Sequence, residues 1–515
     1  MATLTSPPKD GERVRARWLI LAVLALSVLV IGLDGTILNV ALPNLSAALG
    51  AGTDDLQWIV DSYMLVFAVA LLPAGLLGDR YGRKRWLLIG LVLFGAGSAL
   101  AATTDNVAQL IAARTVMGLG GSLIMPLTMG VLPVIFDRAE RPKAIAVWSV
   151  CVALGLPLGP ILGGYLLDHF WWGSIFLINV PIVIIAVILG VLLVPESRAA
   201  STGRVDLLGA VLSMIGLGAF VYGVIQAPLD GWTHSLPWVA GGLLALGLFA
   251  YWQTRVRDPL LDVGLFADRN FLWGSISGTV ASFGMLGLLF VMPQYLFARF
   301  GYDALAVGVR LLPMIAGLAV AARIAAKLAP RFGNRSLVAA GLVVMGAGLG
   351  LGAVTTTTST YAWAALWFVV VGIGVGLSLP TAMDAVLRTL HPAKTGVGSA
   401  AVQSMRQVGG ALGVAVLGSV LSGVYAHRLD TAGLLAAPAA AAKDSILVAL
   451  RIPGLADDAV HAFVAGMDRV LLTSAVLTVV GGVLAALFLP GRDAPDPAAA
   501  AGDGAESSHE YAGTA

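Results

Sequence analysis

The sequence predicts an all-α polytopic membrane protein, because of its apolar composition, its series of long apolar segments and the placement of charge between them. Of 515 residues, 58% are hydrophobic and only 12% are charged. The mean hydropathy is +0.89. One water-soluble core cannot bury so large an apolar fraction, whereas a bilayer can solvate it.

The apolar segments give the predicted number of spans. A helix of about twenty residues crosses roughly 30 Å of hydrocarbon. Fourteen segments reach that length, centred near residues 30, 66, 95, 120, 154, 184, 216, 246, 283, 316, 345, 373, 411 and 479. The first has no small-residue cleavage site, so we interpret it as a retained span and not as a signal peptide. An even number of spans places both termini on the same side.

The basic residues indicate the orientation. Most of the 31 Lys and Arg residues fall in the termini and in alternate loops. The opposite loops hold only Arg299, Arg428, Lys443 and Arg451. Basic loops remain cytoplasmic, which predicts a multi-pass protein of the plasma membrane with both termini in the cytoplasm. The net charge of +2 is too small to indicate a nucleic-acid partner.

An internal repeat predicts two related halves. MGLGGSLIMP at 117–126 reappears as VGIGVGLSLP at 371–380, and LGDRYGRK at 77–84 has an echo in LAPRFGNR at 328–335. Parallel repeats of this kind occur in transporters. The predicted organisation is an N-terminal cytoplasmic segment at 1–17, a six-helix bundle at 18–200, two inserted helices at 201–268, a second six-helix bundle at 269–490 with a long outer loop at 425–467, and a disordered cytoplasmic tail at 491–515.

The first span contains a carboxylate near its middle. Asp34 stands in LDGTILNVALP, and a charge at that depth costs about 2.5 to 3.5 kcal/mol on insertion scales. It therefore needs a partner or a water-filled cavity, which makes Asp34 a functional candidate. The alternative is an Asp that only packs helices through a hydrogen bond to a neighbouring span.

The second span carries another acid near its outer end. Asp61 lies beside Trp58 and Tyr63, a combination that offers charge and aromatic faces to an organic cation. The alternative is an interfacial carboxylate that reaches water. Asn39 in the first span and Arg406 in the thirteenth complete the predicted substrate-binding set. Arg406 either extends to the inner surface or makes the inner cavity attractive to neutral or anionic amphiphiles.

A charged tract, GLLGDRYGRKR at 75–85, separates the second and third apolar segments. A basic tract can bind nucleic acid, but not normally between two membrane spans. The simplest alternative is a loop that only orients the protein. The glycines and charged residues of interest in the tract are Gly75, Asp79, Arg80, Gly82 and Arg83.

The fourth and fifth spans add two further patterns. Arg114 in the fourth span requires an acidic partner, and Asp34 is the natural one. The alternative to a functional role for this pair is a static ion pair that only orders the bundle. The fifth span reads GLPLGPILGG, with glycines on one face and prolines that weaken the helical hydrogen bonds. Its candidate conformational residues are Gly155, Pro157, Gly159, Pro160, Gly163 and Gly164.

Together these motifs resemble the major facilitator superfamily of secondary transporters. The 75–85 tract has the G-x-x-x-D-R-x-G-R-K spacing of its signature loop, and LDGTILNVALP is similar to the first-helix motif of fourteen-span drug/proton antiporters of the EmrB/QacA type. The resemblance covers residues from about 18 to 490. It implies the major facilitator fold: two six-helix bundles plus two inserted central helices, with 14 transmembrane helices in all.

The resemblance also implies roles. The R-x-x-x-G-x-G run at 114–120 implies that Arg114 tunes a proton-carrying acid. Gly75, Asp79, Arg80, Gly82 and Arg83 of the 75–85 tract are implied to form a gate, in which Asp79 caps a helix of the other half. The fifth-span run resembles the antiporter motif of exporters, although a glycine packing face without directional meaning is the alternative. One departure is that the C-terminal half has Gly284 where the repeat aligns with Asp34. A second is that the thirteenth span has no acid around Arg406, where relatives that export dications carry acids, and this argues against export of dications.

We therefore expect a proton-coupled multidrug or antibiotic efflux transporter that exports hydrophobic or amphiphilic compounds by alternating access. The alternative is a major facilitator importer or exporter of a specific metabolite. We expect no enzyme activity, no metal site and no cofactor, because the sequence has a single cysteine, Cys151, and scattered histidines. The resemblance implies that the proton is the coupling ion. The predicted partners are a small substrate and the lipid bilayer, and the predicted state is a monomer.

Overall fold

The computed structural model describes residues 10–51, 53–137, 139–198, 206–390, 395–431 and 434–491. The regular structure of these residues is helical, without strands. The helices are α1 (Asp10–Leu49), α2 (Thr53–Tyr81), α3 (Arg83–Ala102), α4 (Val107–Ile135), α5 (Arg141–His169), α6 (Ser174–Leu177), α7 (Asn179–Leu193), α8 (Leu207–Asp230), α9 (Trp232–Gln253), a 3₁₀ helix (Val263–Ala267), α10 (Arg269–Phe300), α11 (Ala304–Gly352), α12 (Tyr361–Thr389), α13 (Thr395–Arg428), α14 (Ala436–Asp444), α15 (Ile446–Ala449) and α16 (Ala456–Phe488).

In the described part of the chain, thirteen helices are long and apolar enough to cross a membrane. One of these is α11, which has 49 residues and a non-helical backbone at Gly333 with φ 76° and ψ 161°. Only glycine adopts this conformation readily, so α11 consists of two spans joined at Gly333. The sixth span is formed by α6 and α7 together. The described residues therefore contain fourteen candidate spans, as predicted.

Short polar side chains begin several helices. Asn106 accepts a hydrogen bond from the Gln109 backbone N–H at 2.9 Å at the start of α4. Asp268 and Asp303 act in the same way at α10 and α11. Each oxygen satisfies an N–H that has no partner within its helix, which sets the helix boundary.

The two halves share one design. Helices α4 and α12, which carry the repeated sequence, each have 29 residues and an internal proline, Pro126 and Pro380. In the first half α4 crosses α3 where a Cβ on Gly120 would lie 2.6 Å from the Phe94 nitrogen. In the second half α12 crosses the later part of α11 where a Cβ on Gly341 would lie 2.6 Å from the Ser378 nitrogen. Close backbone packing through glycine therefore recurs at equivalent helix pairs.

We call the side that holds the start of α1, the α2–α3 turn and the start of α13 the inner side. One large hydrophobic cluster lies mostly in the first half and extends at the inner side to residues of α13 such as Val397 and Ala400. A second cluster fills the other half. Contacts between halves are made by α5 with α11, and by α2 and α4 with α13.

The inserted helices α8 and α9 pack mainly on each other, and α8 also contacts α2 and α13. Asp206 ties the pair together, because it accepts hydrogen bonds from the Trp252 indole at 2.9 Å and from the Gln253 amide at 2.6 Å. On its other face α8 buries Phe220 and Val221 near Ala68 of α2 and neighbouring residues of α13. The inserted pair therefore flanks both halves on one side of the molecule.

Two predicted boundaries differ from the structure. The first helix begins at Asp10, inside the predicted cytoplasmic segment at 1–17. The predicted outer loop at 425–467 contains two short helices, α14 and α15, but its last part belongs to α16, because the apolar residues there continue the buried face of that helix without a break. Residues 1–9 and the predicted tail from 492 onward lie outside the described residues.

Candidate transport site and gate

A buried ion pair connects α1 and α4. The Arg114 guanidinium donates from Nη1 to Asp34 Oδ2 at 2.6 Å, and the two side chains are 1% and 0% exposed. The Arg114 Nε donates to the Ile59 carbonyl of α2 at 3.3 Å. The structure thus brings together the two residues that the sequence suggested as partners. Since each charge is costly alone at this depth, each holds the other in place.

The Asp34 carboxylate has a further partner that sequence reasoning missed. The Asn179 amide of α7 donates to Asp34 Oδ1 at 3.4 Å and to Ser98 Oγ at 3.0 Å. The Ser98 hydroxyl in turn donates to the Phe176 carbonyl at 2.9 Å. Asn179 is an isolated polar residue in the apolar sixth span, and that was the available signal. The network joins α1, α3, α4 and the sixth span around one carboxylate.

Tyr63 lies against this ion pair. The Arg114 guanidinium carbon is 4.2 Å from the centroid of the Tyr63 ring, and Tyr63 is buried. The face of an aromatic ring attracts a cation, so Tyr63 helps to hold the guanidinium. The structure does not place Tyr63 beside Asp61 and Trp58, with which it was grouped.

Asp61 and Trp58 face the inserted helix α8. They line a cavity between α2 and α8 together with Tyr222. The residues of α2 two positions apart point to opposite sides, because a helix turns by about 100° per residue. Asp61 therefore faces α8, whereas Tyr63 faces Arg114.

Asn39 and Arg406 lie elsewhere again. Asn39 is an exposed residue of α1. Arg406 of α13 is 6% exposed and donates to Ser282 Oγ at 3.1 Å and to Gln403 Oε1 at 2.9 Å. It packs against α10 and does not extend to the inner surface. The first of the two interpretations given for Arg406, that it extends to the inner surface, therefore does not fit the structure. The five predicted substrate-binding residues thus occupy four separate places.

The 75–85 tract closes the inner side. The Asp79 carboxylate accepts from the backbone N–H groups of Gly396 at 2.9 Å and Val397 at 2.8 Å, at the start of α13. Arg83 donates to the same carboxylate from Nε at 2.8 Å and from Nη2 at 2.7 Å. We call this arrangement of Asp79, Arg83 and the first turn of α13 the Asp79 latch. A carboxylate at a helix N-terminus satisfies free N–H groups and the helix dipole.

Close helix contacts surround the Asp79 latch. A Cβ on Gly75 would lie 2.7 Å from the Gly396 carbonyl oxygen, so α2 and α13 touch. The Thr395 hydroxyl donates to the Gly130 carbonyl of α4 at 3.2 Å. The two halves are therefore in contact at the inner side, and the structure is closed there.

The remaining residues of the tract form the turn. Gly82 has φ 113°, a conformation that favours glycine, and separates α2 from α3. Glu196 accepts from the Lys84 and Arg85 backbone N–H groups and so caps α3, a role that the sequence did not reveal. Arg80 lies outside the Asp79 latch, with its guanidinium 5.7 Å from the Tyr81 ring centroid.

The glycine-proline run lies on α5, which stays one continuous helix through both Pro157 and Pro160. Three of its glycines pack on α1. A Cβ on Gly155 would lie 2.6 Å from Gly32 Cα, one on Gly159 would lie 2.7 Å from the Ile37 nitrogen, and one on Gly163 would lie 2.9 Å from Ile37 Cγ1.

The same run also contacts the other half. Gly164 lies against Leu305 of α11, and the Pro157 carbonyl faces Gly308 of the same helix. Helix α5 therefore packs through small residues on α1 of its own half and on α11 of the other half. Small residues at these positions allow the helix backbones to approach closely.

Among the described residues, no group of three or more His, Cys, Asp or Glu side chains is placed to hold a metal ion. The charged groups of the site are the Asp34–Arg114 ion pair, Asp61, Arg406 and the Asp79 latch. These charged groups can bind a proton at a carboxylate, and they can make or break contacts between helices.

Comparisons with known proteins agree with this description. The model of the Major Facilitator Superfamily matches residues 24–414. The multidrug efflux pump LfrA of Mycolicibacterium smegmatis is 36% identical over 93% of this chain and 97% of its own length. The methyl viologen resistance protein SmvA of Salmonella typhimurium is 34% identical over 87% of this chain and 93% of its own. Among solved structures, the proton:xylose symporter XylE has a TM-score of 0.62 over 93% of this chain and 97% of its own, at 15% identity.

Proposed function

The chain belongs to the major facilitator superfamily, and from that premise we propose that it is a proton-coupled exporter of hydrophobic or amphiphilic compounds, of the fourteen-span drug/proton antiporter type. Support for efflux comes from relatives at 34–36% identity that are named for multidrug efflux and methyl viologen resistance. We further propose that the protein works as a monomer in the plasma membrane, with both termini in the cytoplasm and the inner side facing the cytoplasm.

The buried Asp34–Arg114 ion pair carries the proposal. A carboxylate with no exposed surface, held by a guanidinium and an amide, has no packing advantage over apolar residues of similar volume. It is retained, we propose, because Asp34 takes up a proton from the outer side and releases it to the cytoplasm. When Asp34 is neutral its attraction to Arg114 falls, which weakens the link between α1 and α4.

Alternating access follows from the two halves. We propose that residues 18–200 and 269–490 rock against each other, while residues 201–268 add the inserted pair. In the described conformation, the inner side is closed and the Asp79 latch holds the first turn of α13. Opening toward the cytoplasm requires that Asp79 leaves the first turn of α13, and the substrate enters between the halves in that state.

The direction of transport is the second part of the proposal. Its support is the packing of the exporter-like run of α5 on both α1 and α11 through Gly155, Gly159, Gly163 and Gly164. We propose that this close packing restricts proton leakage along α5 while cargo leaves.

The decisive experiment compares the wild type with Asp34→Asn, which keeps the size of the side chain and removes its charge. Cells with the wild type are expected to accumulate less of a fluorescent amphiphile than cells without it, and a protonophore is expected to abolish the difference. Asp34→Asn is expected to lose at least about tenfold in export rate, since coupling requires the ionisable group. The matched control is Asp105→Asn, at an exposed carboxylate.

Other results would contradict the proposal. If Asp34→Asn exports as fast as the wild type, Asp34 does not couple transport to protons. If the wild type accumulates a sugar or another metabolite inward under a proton gradient, the chain is a metabolite transporter and not an exporter of amphiphiles.

A further inference from the structure

Arg406 of α13 is a buried guanidinium whose surroundings differ from those of Arg114. It is 6% exposed and donates to two neutral oxygens, Ser282 Oγ at 3.1 Å and Gln403 Oε1 at 2.9 Å. Among the described residues, no carboxylate forms an ion pair with it, whereas Arg114 has Asp34 at 2.6 Å. A guanidinium stays protonated in proteins, so this buried positive charge has no counter-charge in that part of the chain.

The Arg406 side chain extends away from the inner side. Helices α10 and α13 run in the same direction, because successive glycines of α13 contact successive turns of α10. The stem of Arg406 lies beside Gly278, where a Cβ would meet its Cγ and Cδ at 3.7 Å, and the Nε bonds to Ser282, four residues further along α10. An arginine that only needed water would snorkel toward the nearer surface. The fold therefore holds this charge inside the second half.

The groups at Arg406 that lack partners are hydrogen-bond donors. A guanidinium has five N–H groups and no acceptor, and its bonds to the described residues use only some of them. Because Arg406 can only donate, the Gln403 amide must present Oε1 to it, which leaves Nε2 on the same amide as a donor. Gln403 is 3% exposed, and its Nε2 has no hydrogen-bond partner in the described part of the chain. Unpaired buried donors beside a positive charge favour an anionic acceptor.

Arg406 lies behind the closed inner side. Helix α13 begins at Thr395, so Arg406 is about 16 Å further along the helix axis. In the described conformation α13 packs on α2 and α4, and the Asp79 latch holds its first turn. A ligand that comes from the inner side therefore reaches Arg406 only after α13 has separated from the first half.

We propose that Arg406 and Gln403 bind the anionic group of an exported amphiphile, such as a carboxylate. The anion accepts hydrogen bonds from the free N–H groups of the guanidinium and from Gln403 Nε2, and it supplies the negative charge that the second half lacks at this place. A carboxylate suits the site because the planar guanidinium can donate to both of its oxygens. The inference rests on the proposed function, since it names one class of exported compound.

The test is a binding measurement on the full chain in lipid nanodiscs with naphthoate, compared with its uncharged isostere naphthamide, and with empty nanodiscs as background. The wild type is expected to bind naphthoate at least about tenfold more tightly than naphthamide, since charge-assisted hydrogen bonds are the stronger ones. Arg406→Gln is expected to raise the Kd for naphthoate by about tenfold or more and to remove this preference. The control is Arg323→Gln, the same change at an exposed arginine of α11, which is expected to bind both compounds like the wild type.

A second variant, Gln403→Glu, separates loss of the ligand from loss of the fold. Its carboxylate gives Arg406 a counter-charge within the chain, so the Tm of the purified protein is expected to stay the same or rise. The same carboxylate competes with the ligand, so the Kd for naphthoate is expected to rise by about tenfold or more. Naphthoate binding at wild-type strength in Gln403→Glu overturns the site, because an arginine that only orders the helices predicts that result.

Further outcomes decide the source of the anion and separate this inference from the proposed function. Equal binding of naphthoate and naphthamide by the wild type overturns the site. Binding is measured in sulfate and in chloride buffers, and naphthoate binding that disappears in chloride assigns the site to an inorganic anion and overturns its assignment to cargo. Vesicles in which the wild type exports no amphiphile, charged or uncharged, overturn the proposed function instead, and the binding result still decides the role of Arg406.

Discussion

At the scale of single residues, the proposed proton site depends on one carboxylate with several partners. Asp34 and Arg114 were predictable as a pair, because each is an isolated charge in an apolar span and charges at that depth need a partner. Asn179 was not predicted, because a neutral amide has a much smaller insertion penalty, and an isolated amide in an apolar span is therefore a weaker signal than a charge. Its importance comes from the folding of α7 against α1 and α3, which no local pattern reports.

The Asn179 contact gives the first prediction. Asn179→Ala removes the donor to Asp34 and to Ser98 while leaving the ion pair intact. A typical hydrogen bond contributes about 0.5–1.5 kcal/mol, so we expect proton-driven export in proteoliposomes to slow by about threefold to tenfold. The control is Ser27→Ala, which removes a buried hydroxyl of α1 that donates only to the Val23 carbonyl of its own helix. Equal rates for Asn179→Ala and the control would show that the amide is dispensable.

At the scale of elements, α5 packs closely on its neighbours because its contact positions are glycines, which have no side chain. At Gly155 the backbones of α5 and α1 are so close that a methyl group would contact Gly32 Cα at 2.6 Å. Backbone atoms cannot yield as a flexible side chain does, so a larger residue must push the helices apart. The sequence predicted a packing face for this run but could not name its partner, because spacing along one helix gives no information on its neighbour.

Gly155→Ala tests this contact. We expect the variant to lose about 1–3 kcal/mol of stability, as overpacked sites do, and to show a lower Tm and reduced export. The matched change is Gly241→Ala in α9, where a Cβ would meet no atom within 4 Å. There the greater helix propensity of alanine, about 1 kcal/mol, is expected to leave Tm unchanged or raised. The same Tm shift for both variants, measured by thermal unfolding of the purified protein, would contradict the packing argument.

Element identity was largely predictable, and side-chain direction was not. The fourteen spans follow from hydropathy alone, even where α11 runs through Gly333 as one assigned helix. By contrast, Asp61 and Tyr63 were grouped because they are neighbours in sequence, although residues two positions apart lie on opposite sides of a helix. The α2–α8 cavity could not be foreseen either, because nothing in the sequence states which core helix the inserted pair packs against.

At the scale of the whole molecule, the described structure is closed at the inner side by contacts between the halves. The Asp79 latch is the polar part of that closure, and its two hydrogen bonds to the first turn of α13 are charge-assisted. Hydrogen bonds to charged groups contribute about 1.5–3 kcal/mol each. Loss of that interaction is therefore large enough to change the populations of the two conformations of a transporter.

Asp79→Asn is expected to open the inner side more often. The measurement is labelling of Ser399→Cys, a buried position of α13, by a membrane-impermeant maleimide in inverted vesicles, with the native Cys151 replaced by alanine. We expect the labelling rate to rise by about tenfold or more. Asp137→Asn, which removes an exposed carboxylate that pairs with Arg17, serves as control. Labelling at the wild-type rate in Asp79→Asn would mean that apolar contacts alone keep the inner side closed.

The repeat that produced two similar halves did not copy this carboxylate. In the second tract, at 328–335, Pro330 stands at the position that Asp79 holds in the first. A proline offers neither negative charge nor a hydrogen-bond acceptor beyond its backbone carbonyl, so it cannot hold the first turn of a helix as Asp79 does. A compound that bound this one acid would meet no second copy of it in the repeat, so occupation of a single carboxylate is expected to release the inner closure of the whole molecule.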